Sequence, residues 1–331
     1  MLVTVAICTW NRARMLDQTL AGMRRLHIPA GHTWELLVVN NNSTDSTDEV
    51  IDKHSAVLPI RKLVEIRQGH SNARNCALEH ARGDLLLWTD DDVLVEPDWL
   101  NMYVETALQN PSAVFFGGTV EPWFETPPPR WVSRNLNLLQ GPFALRDLGS
   151  DVRPFVDREA PFGANMGFRT SGIRGFEFDT RLGRVGTGML SGDETLLIDR
   201  LKAEGRTGIW IGPARVRHFI PTARMTIEYI WKFFHGLGRT RQILIPYNRN
   251  VVLVGSGPRW IWKRFLLAKA KATLATPLQG RLWLKNYIDA AVYRGILDEC
   301  RLSSRHAPCA VGNGTRSVPT TTEREDSVCS H

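Results

Sequence analysis

The chain has 331 residues, of which 43% are apolar and 23% charged, a balance that is typical of a globular protein with a buried core and not of a disordered chain. Its five cysteines are dispersed and form no CxxC pair, so neither a disulfide scaffold nor a zinc finger is expected. The net charge of +7 is unevenly distributed: residues 1–212 carry a net charge of −5, whereas residues 213–305 contain 17 basic and 4 acidic side chains. This asymmetry predicts a catalytic or folded front half and a rear half that contacts an anionic partner, either a membrane surface or nucleic acid.

The apolar segments are too short for export or for a membrane span. The apolar run at residues 2–7 lacks a basic start and a cleavage site, and basic residues interrupt the most apolar part of the rear half. We therefore expect a cytoplasmic protein that is peripheral at the inner face of the membrane.

Strands and helices alternate in the front half. Nearly continuous apolar runs predict buried strands, and apolar residues at helical spacing predict helices between them. The predicted strands are residues 2–8, 34–39, 63–66, 85–88, 114–118 and 209–211, and the predicted helices are residues 15–23, 46–54, 71–81, a helix that begins near Trp99, and one from Gly192 to Gly205. This pattern indicates βαβ crossovers and a doubly wound parallel sheet.

Two segments lack this regularity. Residues 123–162 are rich in Pro and Trp and have no clear period, which is typical of a functional lid or binding loop. Residues 307–331 are rich in Ser, Thr, Pro and Gly, and they are predicted to be a disordered tail.

Polar residues follow each buried strand, at the carboxyl edge where open parallel sheets bind their ligands. Asp90, Asp91 and Asp92 come after the fourth strand, where three adjacent carboxylates repel one another and are costly to bury unpaired. A divalent cation removes this cost, and oxygen ligands suit Mg²⁺ or Mn²⁺. The alternative is a solvated acidic turn.

The order and spacing of these segments resemble the nucleotide-sugar-dependent glycosyltransferases of family 2, which have the glycosyltransferase A fold. The matching elements are VAICTWNR (5–12), VVNNNSTD (38–45), Gly69 with ARN (73–75), TDDD (89–92), GANMGFR (163–169), GF (175–176), GDE (192–194) and VRH (216–218). The resemblance implies an α/β fold with a doubly wound, mostly parallel sheet at residues 1–220. It divides this domain into a nucleotide-binding half at about 1–120 and an acceptor half at about 121–220. Residues 221–306 lie outside the resemblance and are expected to form a basic amphipathic helical region.

The resemblance also implies a metal site. Asp90 and Asp92 match the family's DxD motif, with Asp92 as the direct ligand of Mg²⁺ or Mn²⁺ and Asp90 nearer the ribose or a metal-bound water. The cation would bridge the two phosphates of the donor and neutralise the charge that grows on the leaving nucleotide diphosphate. His218 matches a histidine that approaches the metal or the diphosphate; the alternative is a hydrogen-bonded histidine at a domain seam.

The nucleotide sugar is implied to bind a set of polar residues at the same edge. These residues are Thr9, Asn11, Arg12, Asn40, Asn42, Gly69, Arg74, Asp90, Asp91 and Asn165. A UDP-sugar is favoured, although Asn40 stands where many members carry an Asp that binds the base. Arg74 suits a phosphate or the base-binding loop, with a surface arginine as the alternative. Asn165 suits sugar hydroxyls, with hydrogen bonds to the backbone as the alternative.

Asp193 and Glu194 match an acidic pair whose second member is the general base in the family. In that register Glu194 deprotonates the acceptor hydroxyl, and direct displacement without a protein nucleophile inverts the anomeric configuration. Residues 191–194 also fit an S-x-x-E capping box, so a purely structural role for both carboxylates is the alternative.

The rear half combines basic residues with Trp and other apolar residues in the segments 231–241, 259–271 and 281–291, and the apolar residues of the last segment form a helical stripe. Basic helices with Trp at their edges suit an anionic membrane surface, whereas no recognised nucleic-acid motif occurs and no nucleic acid is expected. The alternative is a solvated basic face over a helical core.

Together these features predict a metal-dependent, inverting glycosyltransferase that acts on a saccharide or lipid-linked acceptor in cell-surface polysaccharide or glycolipid synthesis. Two alternatives remain open from the residues. One is a phosphatase that uses the Asp-x-Asp, and the other is a membrane-attached protein that binds nucleotide sugars without transfer.

Overall fold

The front half folds around one mixed sheet in this computed structural model, which describes residues 1–186, 188–247, 251–275 and 280–306. Its strands are β1 (Leu2–Thr9), β2 (Thr33–Asn40), β3 (Ile60–Val64), β4 (Leu85–Asp90), β5 (Val93–Val95), β6 (Phe115–Phe124), β7 (Val152–Pro154), β8 (Met166–Arg169) and β9 (Gly208–Ile220). Their order is β3-β2-β1-β4-β8-β6-β9-β5, and β7 pairs with β9 outside this path.

Strands β1 to β4 pair in parallel, as do β6 and β9. Strand β8 lies antiparallel between β4 and β6, and the short strands β5 and β7 run antiparallel to β9. The prediction of an α/β fold with a mostly parallel sheet is confirmed. The late strand is longer than predicted, because β9 continues through residues 212–220 and reaches His218.

Helices cover both faces of the sheet. They are α1 (Ala13–Met23), α2 (Thr47–Ser55), α3 (His70–His80), α4 (Trp99–Gln109), the short α5 (Arg130–Ser133) and α6 (Gln140–Phe143), and α7 (Asp193–Ala203). Alternate residues of β1 point to opposite faces: Val3, Val5 and Ile7 pack in the core with α1, α2 and α4, whereas Ala6 packs in the core with α3 and α7. This period of two explains the continuous apolar runs, because both faces of the sheet are buried.

The rear half is helical. It consists of α8 (Ile227–Leu244), the two-residue strands β10 (Leu253–Val254) and β11 (Gly257–Pro258), α9 (Arg259–Ala275) and α10 (Arg281–His306). Helices α8 and α10 lie close together because glycines face the partner backbone: a Cβ on Gly238 would lie 2.1 Å from the Val292 carbonyl oxygen. Within the described residues, no helix is both long and apolar enough to cross a membrane.

The boundary predicted at residue 220 does not separate two cores. Val132, Leu139 and Phe143, from the segment predicted to be a lid, pack in one apolar cluster with residues of α8 and α10. The irregular segment therefore contributes apolar side chains whose partners come later in the chain, and it packs the sheet domain against the helical region. The predicted tail at 307–331 lies outside the described residues.

Candidate functional site

The strand register brings the predicted site residues to one edge of the sheet. In the parallel pairs, Cys8 lies opposite Asp90 and Thr9 lies opposite Asn40, so the loops after β1, β2 and β4 begin side by side. After Asp92 the chain reverses into β5, whose Val93 pairs with His218 of β9. This pairing places His218 beside the carboxylates although they are more than 120 residues apart in sequence.

Arginine offsets the charge of the carboxylate triplet. Arg12 donates to Asp91 Oδ1 at 2.7 Å and to Asp92 Oδ2 at 2.6 Å, and the Thr9 hydroxyl donates to Asp91 Oδ2 at 2.7 Å. Burial raises the pKa of Asp91 to about 7, although Arg12 acts in the opposite direction. The alternative of a solvated acidic turn does not describe this site, because Asp91 and Asp92 are 4% and 1% exposed.

Asp90, Asp92 and His218 can hold a divalent metal. Each offers one ligand atom, and these atoms all lie within 4.8 Å of one another. Burial raises the pKa of Asp92, but His218, Arg12 and Arg224 outweigh burial and hold that pKa well below its usual value, so the carboxylate is charged. His218 Nδ1 is buried without a hydrogen-bond partner among the described residues. Two carboxylates and an imidazole fit Mg²⁺ or Mn²⁺.

Arg224 is a site residue that sequence reasoning missed. It follows β9 and is mostly buried, with Nη2 3.5 Å from Asp92 Oδ2 and Nη1 3.3 Å from His218 Nε2. The only available signal was a basic residue six positions after the predicted metal-site histidine, just beyond the segment that resembles the family.

Two asparagines predicted to bind the nucleotide sugar form hydrogen bonds within and between the loops after β1 and β2. Asn11 has a positive φ of 51°, and its Oδ1 accepts from the Thr44 amide at 2.7 Å, which links the loops after β1 and β2. Asn40 donates to Asp48 Oδ1 at 3.1 Å and accepts from the Ser43 amide at 2.9 Å. Asn42 is exposed, with a φ of 62°.

Asn41 was also missed by the sequence analysis. It is 4% exposed and donates to the carbonyls of Glu65 and Arg67, both at 2.8 Å, while its Oδ1 accepts from the Gly69 amide at 2.8 Å. Gly69 has a φ of 138°, which favours glycine at the start of α3. A run of three asparagines does not reveal which one points inward, so only the fold identifies Asn41.

Arg74 joins α3 to the start of α7. Its Nη1 donates to Asp193 Oδ2 at 2.7 Å and to Glu194 Oε2 at 3.2 Å, and its side chain is 3% exposed. The alternative of a surface arginine is therefore wrong.

The predicted capping box at residues 191–194 is wrong as well: Gly192 is the N-cap residue of α7, with a φ of 91° and no side-chain cap. Both carboxylates turn toward Arg74 instead.

The acidic pair Asp193 and Glu194 and the candidate metal ligand Asp90 influence the pKa values of the same neighbouring side chains. Burial and the neighbouring Asp193 raise the pKa of Glu194, whereas Arg74 and hydrogen bonds lower the pKa of Asp193 against the effect of burial. Burial and Arg74 lower the pKa of His70 to about 3, while Asp90 and Glu194 both oppose that shift. Asp90 and Glu194 therefore act electrostatically on the same side chain.

Asn165 does not face this pocket. It is fully buried, and its Oδ1 accepts from Trp99 Nε1 and the Tyr103 hydroxyl, both at 2.8 Å. Its Nδ2 donates to the carbonyls of Thr119 and Ala214 at 2.9 and 2.8 Å. The amide has no capacity left for a sugar hydroxyl, so the structure contradicts that predicted role and supports the alternative of internal hydrogen bonds.

The sequence profile described as "Glycosyl transferase family 2" matches residues 4–179, which is more than half of the chain. The chain belongs to glycosyltransferase family 2. The Succinoglycan biosynthesis protein ExoM of Rhizobium meliloti is 24% identical over 311 residues, covering 89% of this chain and 93% of that protein. The Glucosyl-dolichyl phosphate glucuronosyltransferase of Haloferax volcanii is 28% identical over 246 residues, covering 71% and 74%.

Solved structures agree on the fold of this family 2 glycosyltransferase. Mannosyltransferase PcManGT from Pyrobaculum calidifontis, in complex with GDP-Man and Mn²⁺, has a TM-score of 0.57 at 18% identity and covers 92% of this chain and 87% of its own. TarS 1-349 of S. aureus in complex with UDP has a TM-score of 0.52 at 14% identity and covers 94% and 93%. The expected glycosyltransferase A fold is confirmed, and a glycosyltransferase is supported over a phosphatase.

Replacement of Arg74 by methionine is expected to destabilise the fold by about 3–5 kcal/mol at neutral pH, because Asp193 would lose its buried counter-charge. The pKa of Asp193 is lowered in the folded protein, so the contribution of the pair is present above the ordinary pKa of the carboxyl and decreases as the pH falls through the lowered one. Urea unfolding at several pH values measures both effects. Arg200→Met on α7 is the control, since Arg200 is 49% exposed; equal stabilities for the two variants would contradict the role of the buried pair.

Proposed function

We propose that this protein is an inverting, metal-dependent glycosyltransferase that moves a sugar from a nucleotide diphosphate sugar to a hydroxyl acceptor. Two groups of residues support the proposal: Asp90, Asp92 and His218, whose ligand atoms lie within 4.8 Å of one another, and Asp193 with Glu194, which Arg74 contacts at 2.7 and 3.2 Å. One group has the composition of a divalent-metal site, and the other contains a carboxylate whose pKa is raised. Asp90 and Glu194 both act on His70 and on Arg74. Transfer from a nucleotide sugar needs both functions in one pocket.

Asp90, Asp92 and His218 would hold Mg²⁺ or Mn²⁺, which supplies Lewis-acid stabilisation to the leaving diphosphate when it is bound. Arg12 and Arg224 add fixed positive charge next to the same carboxylates. Their guanidinium groups suit the orientation of phosphate oxygens because they donate in a planar fork. The neighbour complexes with GDP-Man and with UDP contain different bases, so a panel of nucleotide sugars is the appropriate donor screen.

Glu194 takes the role of general base in this proposal. Its side chain is 22% exposed, whereas that of Asp193 is 3% exposed, so Glu194 is the member of the pair that an acceptor hydroxyl can reach. A raised pKa increases its proton affinity toward that of a base that works near neutral pH. Arg74 and Asp193 hold Glu194 in place. A single base without a protein nucleophile implies inversion at the anomeric carbon.

The proposed acceptor is a saccharide, free or linked to a lipid, at an anionic membrane surface. Helix α9 buries the stripe Ile261, Phe265, Ala268 and Ala272 against the rest of the molecule. Its other side exposes apolar side chains beside lysine and arginine. The exposed apolar residues are Trp260, Leu266, Leu267 and Leu274, which are 45%, 58%, 52% and 82% exposed, and the helix contains five basic residues and no acidic one. Such a face suits the interface of an anionic membrane.

Asp92→Asn is expected to weaken metal-dependent donor binding and nearly abolish transfer, because it removes a ligand charge without changing size. Donor binding is measured by calorimetric titration of the protein with UDP in the presence of Mn²⁺, of Mg²⁺ or of EDTA. Transfer is measured as the release of the nucleotide diphosphate from a nucleotide sugar. Asp52→Asn is the control, since Asp52 is exposed on α2. Unchanged turnover with an unchanged Mn²⁺ requirement would refute the assignment of the metal site.

Glu194→Gln is expected to slow transfer by about 10²- to 10⁴-fold while donor affinity is nearly preserved. The acid limb of the pH–rate profile should disappear as well, because wild-type activity decreases when Glu194 is protonated. The isosteric Asp193→Asn is the matched control at the neighbouring position, and it should cost less in rate. A full rate for Glu194→Gln, or a far larger loss for Asp193→Asn, would assign the base to the other carboxylate.

The double variant Lys263→Gln, Arg264→Gln is expected to bind anionic liposomes more weakly, by about 1 kcal/mol of binding free energy for each residue replaced. Less of it should therefore sediment with the liposomes, and high salt should weaken the binding of the wild type similarly. The full chain is required, because truncation near residue 219 would expose the apolar cluster shared with residues 132–143. Arg24→Gln, Arg25→Gln is the matched control, an exposed basic pair in the front half. If both double variants sediment alike, α9 is not the attachment face.

A further inference from the structure

Two adjoining clefts run along α8 and share the side chains of Trp231 and Lys232. One has a volume of about 280 Å³ and the other about 700 Å³. The first is lined by Met189, Leu190, Trp231, Lys232, His235, Gly236 and Arg239, and the second by Ile227, Glu228, Trp231, Lys232 and Tyr287. We call this continuous surface the α8 groove. The nucleotide and metal residues described above are not part of it.

The α8 groove lies next to the proposed base. Leu190, in its wall, precedes Glu194 by four residues, and four residues span at most about 14 Å. The wall is fixed to α8, because a Cβ on Gly236 would lie 2.2 Å from the Met189 carbonyl oxygen and the Ser191 amide donates to Thr240 Oγ1 at 3.2 Å. The wall of the groove at Leu190 therefore lies within about 14 Å of the Glu194 backbone, a distance comparable with the length of a short sugar chain.

The groove combines aromatic faces with a polar rim. The rings of Trp231 and Tyr287 have centroids 5.1 Å apart, and Tyr287 stacks on Trp283 at 5.4 Å, so Trp231 is held in a rigid aromatic row. A pyranose ring has an apolar face of C–H bonds and an edge of hydroxyl groups. An aromatic platform with nearby polar side chains fits both parts of such a ring.

The charges of the groove favour a neutral ligand. Each basic side chain on its rim already has an acidic partner: Lys232 lies 2.8 Å from Glu228, and two further pairs involve α10. These are His235 with Asp298 at 3.0 Å and Arg239 with Glu299 at 2.8 Å. A phosphate or a uronic acid would have to compete with these carboxylates, whereas neutral hydroxyl groups can hydrogen-bond to the rim without breaking the pairs.

We propose that the α8 groove binds the neutral saccharide acceptor, with one sugar ring stacked on Trp231. This proposal rests on the proposed function, since a transferase requires an acceptor site beside its base. It extends that function by naming the acceptor class and the residues that recognise it.

Saturation-transfer NMR on the full chain, with UDP and Mg²⁺ present, tests the groove without any turnover. The probes are methyl β-glucoside, methyl β-galactoside, cellobiose and lactose. We expect at least one probe to receive saturation through the C–H protons of one ring face, and Trp231→Ala to weaken its binding about tenfold. Trp231→Phe should retain most of the binding, and Leu237→Ala is the control on the opposite side of α8.

A second variant covers the case in which Trp231→Ala fails to fold. Lys232 is 59% exposed, so Lys232→Trp fills the groove without removing a core contact, and it should abolish probe binding while Arg241→Trp does not. Absence of binding by every probe to the wild type, or full binding by Lys232→Trp, overturns the proposal. UDP affinity is measured in parallel: loss of saccharide binding with intact UDP binding separates failure of the groove from failure of the proposed transferase.

Discussion

The site depends on the retention of five carboxylates, three at the end of β4 and directly after it and two at the start of α7. Their mutual repulsion is offset by arginines from three distant parts of the chain: Arg12 after β1, Arg74 on α3 and Arg224 after β9. A buried carboxylate without such a partner takes up a proton and loses its affinity for a cation. The arrangement of these arginines therefore determines which carboxylates remain charged, and the sheet serves to bring them together.

The parallel front of the fold could be predicted because its signals are local. Apolar runs identify β1, β2 and β4, and the polar residues that follow each run must meet at one edge. The site was predictable to the same extent: Asp92 and His218 are adjacent as expected, whereas Asn165 is internal. The contact of Arg74 with Asp193 joins residues 119 positions apart. No local period encodes such a contact, and the S-x-x-E pattern suggested a capping role that the structure contradicts.

The helical rear illustrates a different limit of sequence reasoning. Its helices were predicted from apolar stripes, and α10 indeed buries Trp283, Leu284 and Ala291. The partners of those side chains could not be predicted, because several of them come from an irregular segment that has no period of its own. Val132 and Phe143 complete the cluster and attach the helices to the sheet domain. The basic composition predicts the charge of the surface of this region. The shared apolar cluster, which is visible only in the structure, explains how the region is attached to the sheet domain.

This attachment matters for a lipid-linked acceptor, whose two ends must be held at the same time. Helix α10 packs against α8, which carries the groove, and against α9, which carries the exposed basic face. In the proposed function, membrane contact through α9 would make capture of the saccharide by the α8 groove an intramolecular event, with a high effective concentration of acceptor. Gly236 and Gly238 allow α8 to approach the Met189 and Val292 backbones closely, which joins the groove both to the segment before Glu194 and to α10. In the proposed function, this close packing would favour acceptors whose length between lipid and reacting hydroxyl matches the separation of α9 from Glu194.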